Sequence, residues 1–134
     1  MKKLLILAII GLTVSACSDD KKQEKAALDQ VLSVHDKVMG HDEAVMKNKM
    51  KLDTVLRSNP ADSVQIKALS AKLTAAEDAM DNWMHQFEPD VTGKSHDQII
   101  TYYEVQKKQV LAVDSLLSTA VAESGKYLQT IKQK

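Results

Sequence analysis

Residues 66–87 read Ile66-Lys67-Ala68-Leu69-Ser70-Ala71-Lys72-Leu73-Thr74-Ala75-Ala76-Glu77-Asp78-Ala79-Met80-Asp81-Asn82-Trp83-Met84-His85-Gln86-Phe87. Apolar side chains stand at Ile66, Leu69, Leu73, Ala76, Met80, Trp83 and Phe87, at spacings that alternate between three and four. That spacing draws one stripe along a helix of 3.6 residues per turn, whereas a strand alternates every second residue. Such a stripe is a seam for neighbouring helices crossing at about 20°. The fold class that follows is all-α.

Working toward the N-terminus, Asn59-Pro60-Ala61-Asp62 breaks the chain and starts the next helix, with Pro60 at the first helical position. Before it, one long amphipathic segment is expected from Glu24 to Arg57. Three rows of spacing seven run along it: Val31, Val38, Val45, Leu52; then Leu32, Met39, Met46; and between them Leu28, His35, Asp42, Lys49, Leu56. This reading makes the third row the centre of the stripe, so that His35 and Asp42 face a partner helix. Gly40 falls on the outer face, where it weakens the helix by about 1 kcal/mol relative to alanine.

Toward the C-terminus, Glu88–Lys94 is a loop holding Pro89 and Gly93. Ser95-His96-Asp97-Gln98 then has the form of a capping box. The third stripe is Ile99, Tyr103, Gln106, Val110, Val113, Leu117, Ala120, Ser124, Tyr127 and Ile131, with Gly125 expected to kink the helix or end its ordered part. Three amphipathic helices joined by two short connections predict an antiparallel up-down-up bundle, or a helical hairpin plus a third long helix. The second helix is the shortest, so the others overhang it. The apolar Val121, Leu128 and Ile131 on such an overhang call for a protein partner or self-association through helix faces.

Composition agrees. Glycine and proline number 4 and 2 in 134 residues, and aromatics make up 4%, which suits helices and disfavours a β-sandwich or barrel.

The N-terminus is of another kind. Lys2 and Lys3 precede an apolar run, Leu4 to Leu12, too short for a bilayer core that takes about 20 helical residues. It fits the apolar region of a signal peptide. Val14-Ser15-Ala16-Cys17 then resembles the bacterial lipobox. The resemblance implies cleavage before Cys17 and a diacylglyceryl thioether on its sulfur. Cys17 is the sole cysteine, so no internal disulfide competes for it. The expected organisation is a cleaved signal peptide at 1–16, a lipidated polar tether at 17–23 and a helical bundle at 24–134. Lys2 and Lys3 leave with the signal peptide, so 16 basic residues remain against 18 acidic ones, a net charge of −2. That balance gives no footprint for nucleic acid. Ser18 after the cysteine resembles an outer-membrane address, and Asp19-Asp20 the export signals of surface-exposed lipoproteins. A plain solvated linker accounts for the same residues.

The lipobox, His35-Asp36-x-x-Met39, Trp83-Met84-His85-Gln86-Phe87 and Ser95-His96-Asp97 followed by Tyr102-Tyr103-x-x-Gln106-Lys107-Lys108 together resemble a group of small α-helical lipoproteins of Bacteroidota, often labelled "viral A-type inclusion protein". The resemblance spans nearly the whole chain. It implies a helical fold and an envelope location, most directly the periplasmic face or outer surface of the outer membrane, and it carries no activity.

For chemistry, the sequence offers soft ligands. His35 and Met39, Met46 and Met50, and Met80 and Met84 are each four apart. Folding back at Asn59-Pro60 would gather His35, Met39 and Met80 at one end of the bundle, with Met84 and His96 nearby. Imidazole and thioether there suit Cu(I) or Ag(I). Core packing by methionine is the plainer account, and His35, Asp42 and Lys49 are equally read as a buried polar network fixing register. No glycine-rich phosphate loop, thiol nucleophile or distinct carboxylate pair stands out. The expected function is therefore a non-catalytic, membrane-anchored interaction or structural module, not an enzyme and without a cofactor, with a soft-metal-binding envelope protein as the alternative.

Overall fold

The computed structural model describes residues 14–132. Met1–Thr13, most of the expected signal peptide, and the Cys17 side chain lie outside the described residues. The elements are α1 (Val14–Met39), α2 (Asp42–Ser58), a 3-10 turn at Pro60–Asp62, α3 (Ser63–Gln86) and α4 (His96–Lys132). Every element among the described residues is helical, so the fold is all-α. No helix among them is long and apolar enough to cross a membrane.

Two side-chain registers set the topology. Contacts between the first two helices and α4 keep a nearly constant sequence offset: Glu24 with His96 at 3.0 Å, Lys37 with Asp114 at 2.7 Å, Asn48 with Ser124 at 2.9 Å. These helices therefore run parallel to α4. Contacts between α3 and α4 climb one helix as they descend the other, from Asp62 with Tyr127 at 3.3 Å to Lys72 with Glu123 at 2.5 Å. Both neighbours of α3 are antiparallel to it, which is the up-down-up arrangement.

The stripes on α3 and α4 pack as their spacing requires. Ile66, Leu69, Leu73, Ala76, Met80 and Trp83 are buried, and so are Ile99, Tyr103, Gln106, Val110, Val113, Leu117, Ala120, Ser124 and Tyr127. Phe87 and Ile131 pack against this core from its edges. The capping box forms: the Ser95 amide donates to Gln98 Oε1 at 2.9 Å, and the Gln98 amide to Ser95 Oγ at 3.4 Å.

Four expectations are corrected. The segment from Glu24 to Arg57 is not one helix: it bends at Gly40–His41. There the Gly40 amide is shared between the Asp36 and Lys37 carbonyls, both at 3.2 Å, and His41 bonds three residues back to Val38. Glycine is a poor helix former, and a Cβ on Gly40 would lie 3.1 Å from the Lys37 carbonyl oxygen. Asp42 and Glu43 begin α2 where negative charge favours a helix N-terminus.

Gly125, conversely, does not end α4, which runs on to Lys132. The nearest foreign atom to a Cβ there would be the Asn48 amide nitrogen at 3.8 Å, and the packed surface on both sides of Gly125 outweighs its weak propensity.

The centre of the first stripe is Val31, Val38, Val45 and Leu52, all fully buried. It is turned toward the row Val34, His41, Asn48 and Val55, which faces α4. His35, Asp42 and Lys49 thus form no buried network: Asp42 is exposed, and His35 and Lys49 are half-buried. Last, the C-terminal end of α4 is not a bare overhang. Leu128 is buried, and Val121 and Ile131 pack on the core. The overhang lies at the opposite end, where α1 runs past the end of α3 alongside α4. Residues 17–23, expected as a tether, are the first turns of that arm.

Polar contacts lock the arm and α2 onto α4. Asp114, with 11% of its side chain exposed, receives Lys37 at 2.7 Å and faces His41 Nε2 at 3.3 Å. The Lys37 ammonium, bonded to it, holds the Asp114 carboxyl below its ordinary 3.8. A carboxyl with a depressed folded value stabilises the fold above the unfolded value, and that contribution disappears as pH falls through the folded one. Asp114→Ala is expected to lower the unfolding free energy by about 1–3 kcal/mol at pH 7, and by markedly less at pH 3. Urea unfolding at the two pH values checks this; an equal loss at both would remove the carboxylate's charge from the account. At the far end, His96 bonds Glu24 and lies 3.9 Å from Asp20, and the Glu24 bond raises its pKa above the usual 6.5.

Candidate functional site

Among the described residues, a groove of about 720 Å³ lies between α2 and α3. Met39, Met46, Met50, Met80 and Met84 line it, and Leu117 of α4 reaches its lining from behind. These five are every methionine in the chain except Met1.

The sequence puts them there by helix geometry. Met39 and Met46 each follow a buried core valine, Val38 and Val45, and one residue on turns a helix by about 100°. Their side chains therefore leave the core at its edge, on the α3 side. Met50 lies one turn beyond Met46. On α3, Met80 belongs to the core stripe and Met84 lies one turn on. Met80 is 4% exposed, while Met84, Met39, Met46 and Met50 are 37%, 38%, 63% and 66% exposed. Lone apolar residues on a surface are ordinary; a contiguous group marks a binding surface.

The register across the groove follows from Lys49 of α2, which ion-pairs with Glu77 of α3. Since the two helices are antiparallel, three residues back from Lys49 lies opposite three residues on from Glu77. Met46 therefore lies level with Met80. Around the thioethers stand the carboxylates of Asp42, Glu77, Asp78 and Asp81. Against these four acids the lining holds one cation, Lys49.

Of the four core or ligand candidates read from the sequence, Met39, Asp42 and Met80 share this groove. His35 does not line it. Its ring packs on Trp83, centroids 5.9 Å apart, and Nδ1 lies 3.1 Å from the Asp36 carboxylate. His96 is far from His35 along α1, beside Glu24. His35 therefore stands outside the lining that Met39 and Met80 share, its imidazole packed at the aromatic end of α3. Asp42 sits on the groove's rim and not in a core.

Sequence reasoning passed over the acids. Glu77, Asp78 and Asp81 read as ordinary solvated positions, and only the placement of α2 beside α3 sets them around sulfur. It also missed His41, Asn48 and Asp114, and the bond from Asn48 to Ser124 of the third stripe. A second groove of about 710 Å³ between α3 and α4 is lined by Ala75, Ala112, Ser115, Leu116 and Thr119 among others, with neither thioether nor carboxylate. Among the described residues, no group of three or more His, Cys, Asp or Glu side chains is placed to hold a metal ion. No family model, curated protein or solved structure matches this chain.

Proposed function

We propose that this chain is a lipid-anchored protein of the cell envelope, held by Cys17 in the outer membrane, which acts without catalysis as a helical binding module. Its working surface is the groove between α2 and α3. The observation that carries the reading is the collection of all five methionines after Met1 along one acid-rimmed groove, with Met39, Met46, Met50 and Met84 exposed there. Methionine is flexible and polarisable, and adaptable binding surfaces use it for that reason. The lipobox and the likeness to small helical Bacteroidota lipoproteins support the location. The bundle supports the role, since a rigid pair of helices can present a groove at a set distance from a membrane.

The test is site-specific photo-crosslinking in intact cells. A photoreactive residue replacing Met46 or Met84, inside the groove, is expected to give discrete adducts on gels. The same residue replacing Val64, which is 84% exposed on α3 outside the groove, is expected to give none. A dimer-sized adduct would make the partner a second copy of the chain. Identical patterns from the groove and from position 64 would remove the groove as the working surface.

A further inference from the structure

We propose that the methionine groove is a thioether site for one soft monovalent cation, Cu(I) or its mimic Ag(I), an inference that rests on the groove being the working surface. The ligand set differs from the one the sequence suggested, because no histidine belongs to it. Met46 and Met80 lie level on the two helices that form the groove, and both line it. Met50 and Met84 stand one turn to either side, each four residues from its partner on the same helix. Met39 closes one end.

Four features favour a cation over a merely apolar guest. Leucine would serve an apolar guest equally well and abounds in the chain, yet the one leucine lining this groove is Leu117, which is buried. All the exposed apolar lining is thioether. Thioether sulfur is a soft donor matched to Cu(I) and Ag(I). Next, the acids Asp42, Glu77, Asp78 and Asp81 outnumber Lys49, so the groove's field concentrates cations. Finally, borderline and hard divalent ions find no competing cage of His, Cys or carboxylate among the described residues. The carboxylates attract the ion and the sulfurs select it.

A thioether carries no proton to displace. Affinity at such a site does not change between pH 5 and pH 8, whereas imidazole or thiolate ligands lose affinity as they take up protons. That separates this site from one built on histidine.

The experiment uses the full chain, purified from envelopes in detergent, with methionine methyl groups labelled with ¹³C. One equivalent of Ag(I) is expected to shift the methyl resonances of Met46, Met50, Met80 and Met84 to a 1:1 endpoint. Anaerobic competition with a chromogenic Cu(I) chelator gives the affinity. Met46→Leu/Met50→Leu keeps volume and apolarity, so the fold persists. It is expected to weaken Cu(I) by at least about 10–100-fold, the loss usual even for outer-shell partners of a metal. Wild-type affinity is expected to stay constant from pH 5 to pH 8. Three results each overturn the proposal: methyl resonances that ignore several equivalents of Ag(I), a leucine variant of undiminished affinity, or an affinity that climbs with pH. If silver is silent while crosslinks from position 46 persist, the metal assignment falls and the binding surface stands. If the crosslinks also vanish, both fall.

Discussion

Trp83→Ala is expected to lower the unfolding free energy by about 3–5 kcal/mol, the usual cost of removing a large buried aromatic side chain. Trp83 is 6% exposed. It stands in the last turn of α3, at the level where three helices become two. There it is one member of a run of rings: His35 at 5.9 Å, Phe87 at 5.2 Å on its other side, then Phe87 to Tyr102 at 6.2 Å and Tyr102 to Tyr103 at 5.5 Å. Tyr102 also accepts the Glu88 amide on its hydroxyl at 2.7 Å, which ties the loop after α3 to α4. The run closes the end of the three-helix section, and the chain has one tryptophan and one phenylalanine with which to do so.

A domain of this size holds about 5–15 kcal/mol in total, so the loss is a large part of its stability. His85→Ala, two residues on at an exposed position, is expected to stay within about 0.5 kcal/mol of the parent. Urea unfolding of the two variants checks the contrast. Trp83 fluorescence resistant to acrylamide supports burial. Strong quenching together with an unchanged midpoint in Trp83→Ala would instead make the tryptophan a docking residue.

Cys17→Ser is expected to move the protein entirely from the membrane fraction to the soluble one and to abolish incorporation of labelled palmitate. No described helix can span a bilayer, so under the proposed reading the acyl chains are the sole hold on the membrane. Each buried CH2 contributes about 0.8 kcal/mol; one chain binds marginally, while two or three make a stable tether. A lone cysteine behind Val14-Ser15-Ala16 is the only side chain that can carry them as a thioether. Fractionation and radiolabelling read the outcome. A serine variant that still takes up palmitate would end the anchoring claim. The backbone of α1 begins at Val14, so under the proposed reading a lipid on Cys17 would join the helix with almost no flexible spacer. Under that reading the arm of α1 and α4, pinned by His96 to Glu24 and Asp20, would stand next to the lipid.

The stripes of α3 and α4 were legible because nearly every third or fourth residue on them is apolar, Gln106 and Ser124 excepted. A helix then has one way to remove that surface from water. The capping box and the break at Asn59-Pro60 were legible for a local reason: each is completed by bonds or dihedral limits within a few residues. The first stripe was misread by part of a turn, since three candidate rows run side by side and spacing alone does not say which is central. Val34, His41, Asn48 and Val55 supply a fourth row, and half of it is polar. Only when Asp114 and Ser124 of α4 are in place do His41 and Asn48 have partners that make burial tolerable.

By itself, then, the sequence determined the helical class, the two connections, the buried faces of α3 and α4 and the aromatic end at Trp83 and Phe87. These follow from periodicity and from short-range bonds, which act within one element. The tertiary structure alone decided the bend at Gly40, the continuity of α4 through Gly125, which end of the bundle overhangs, and the meeting of five methionines with four acids in one groove. Each of these depends on which helix lies beside which and in what register. That is a balance of packing and paired polar groups between residues far apart in sequence, and no window along the chain contains both halves of it.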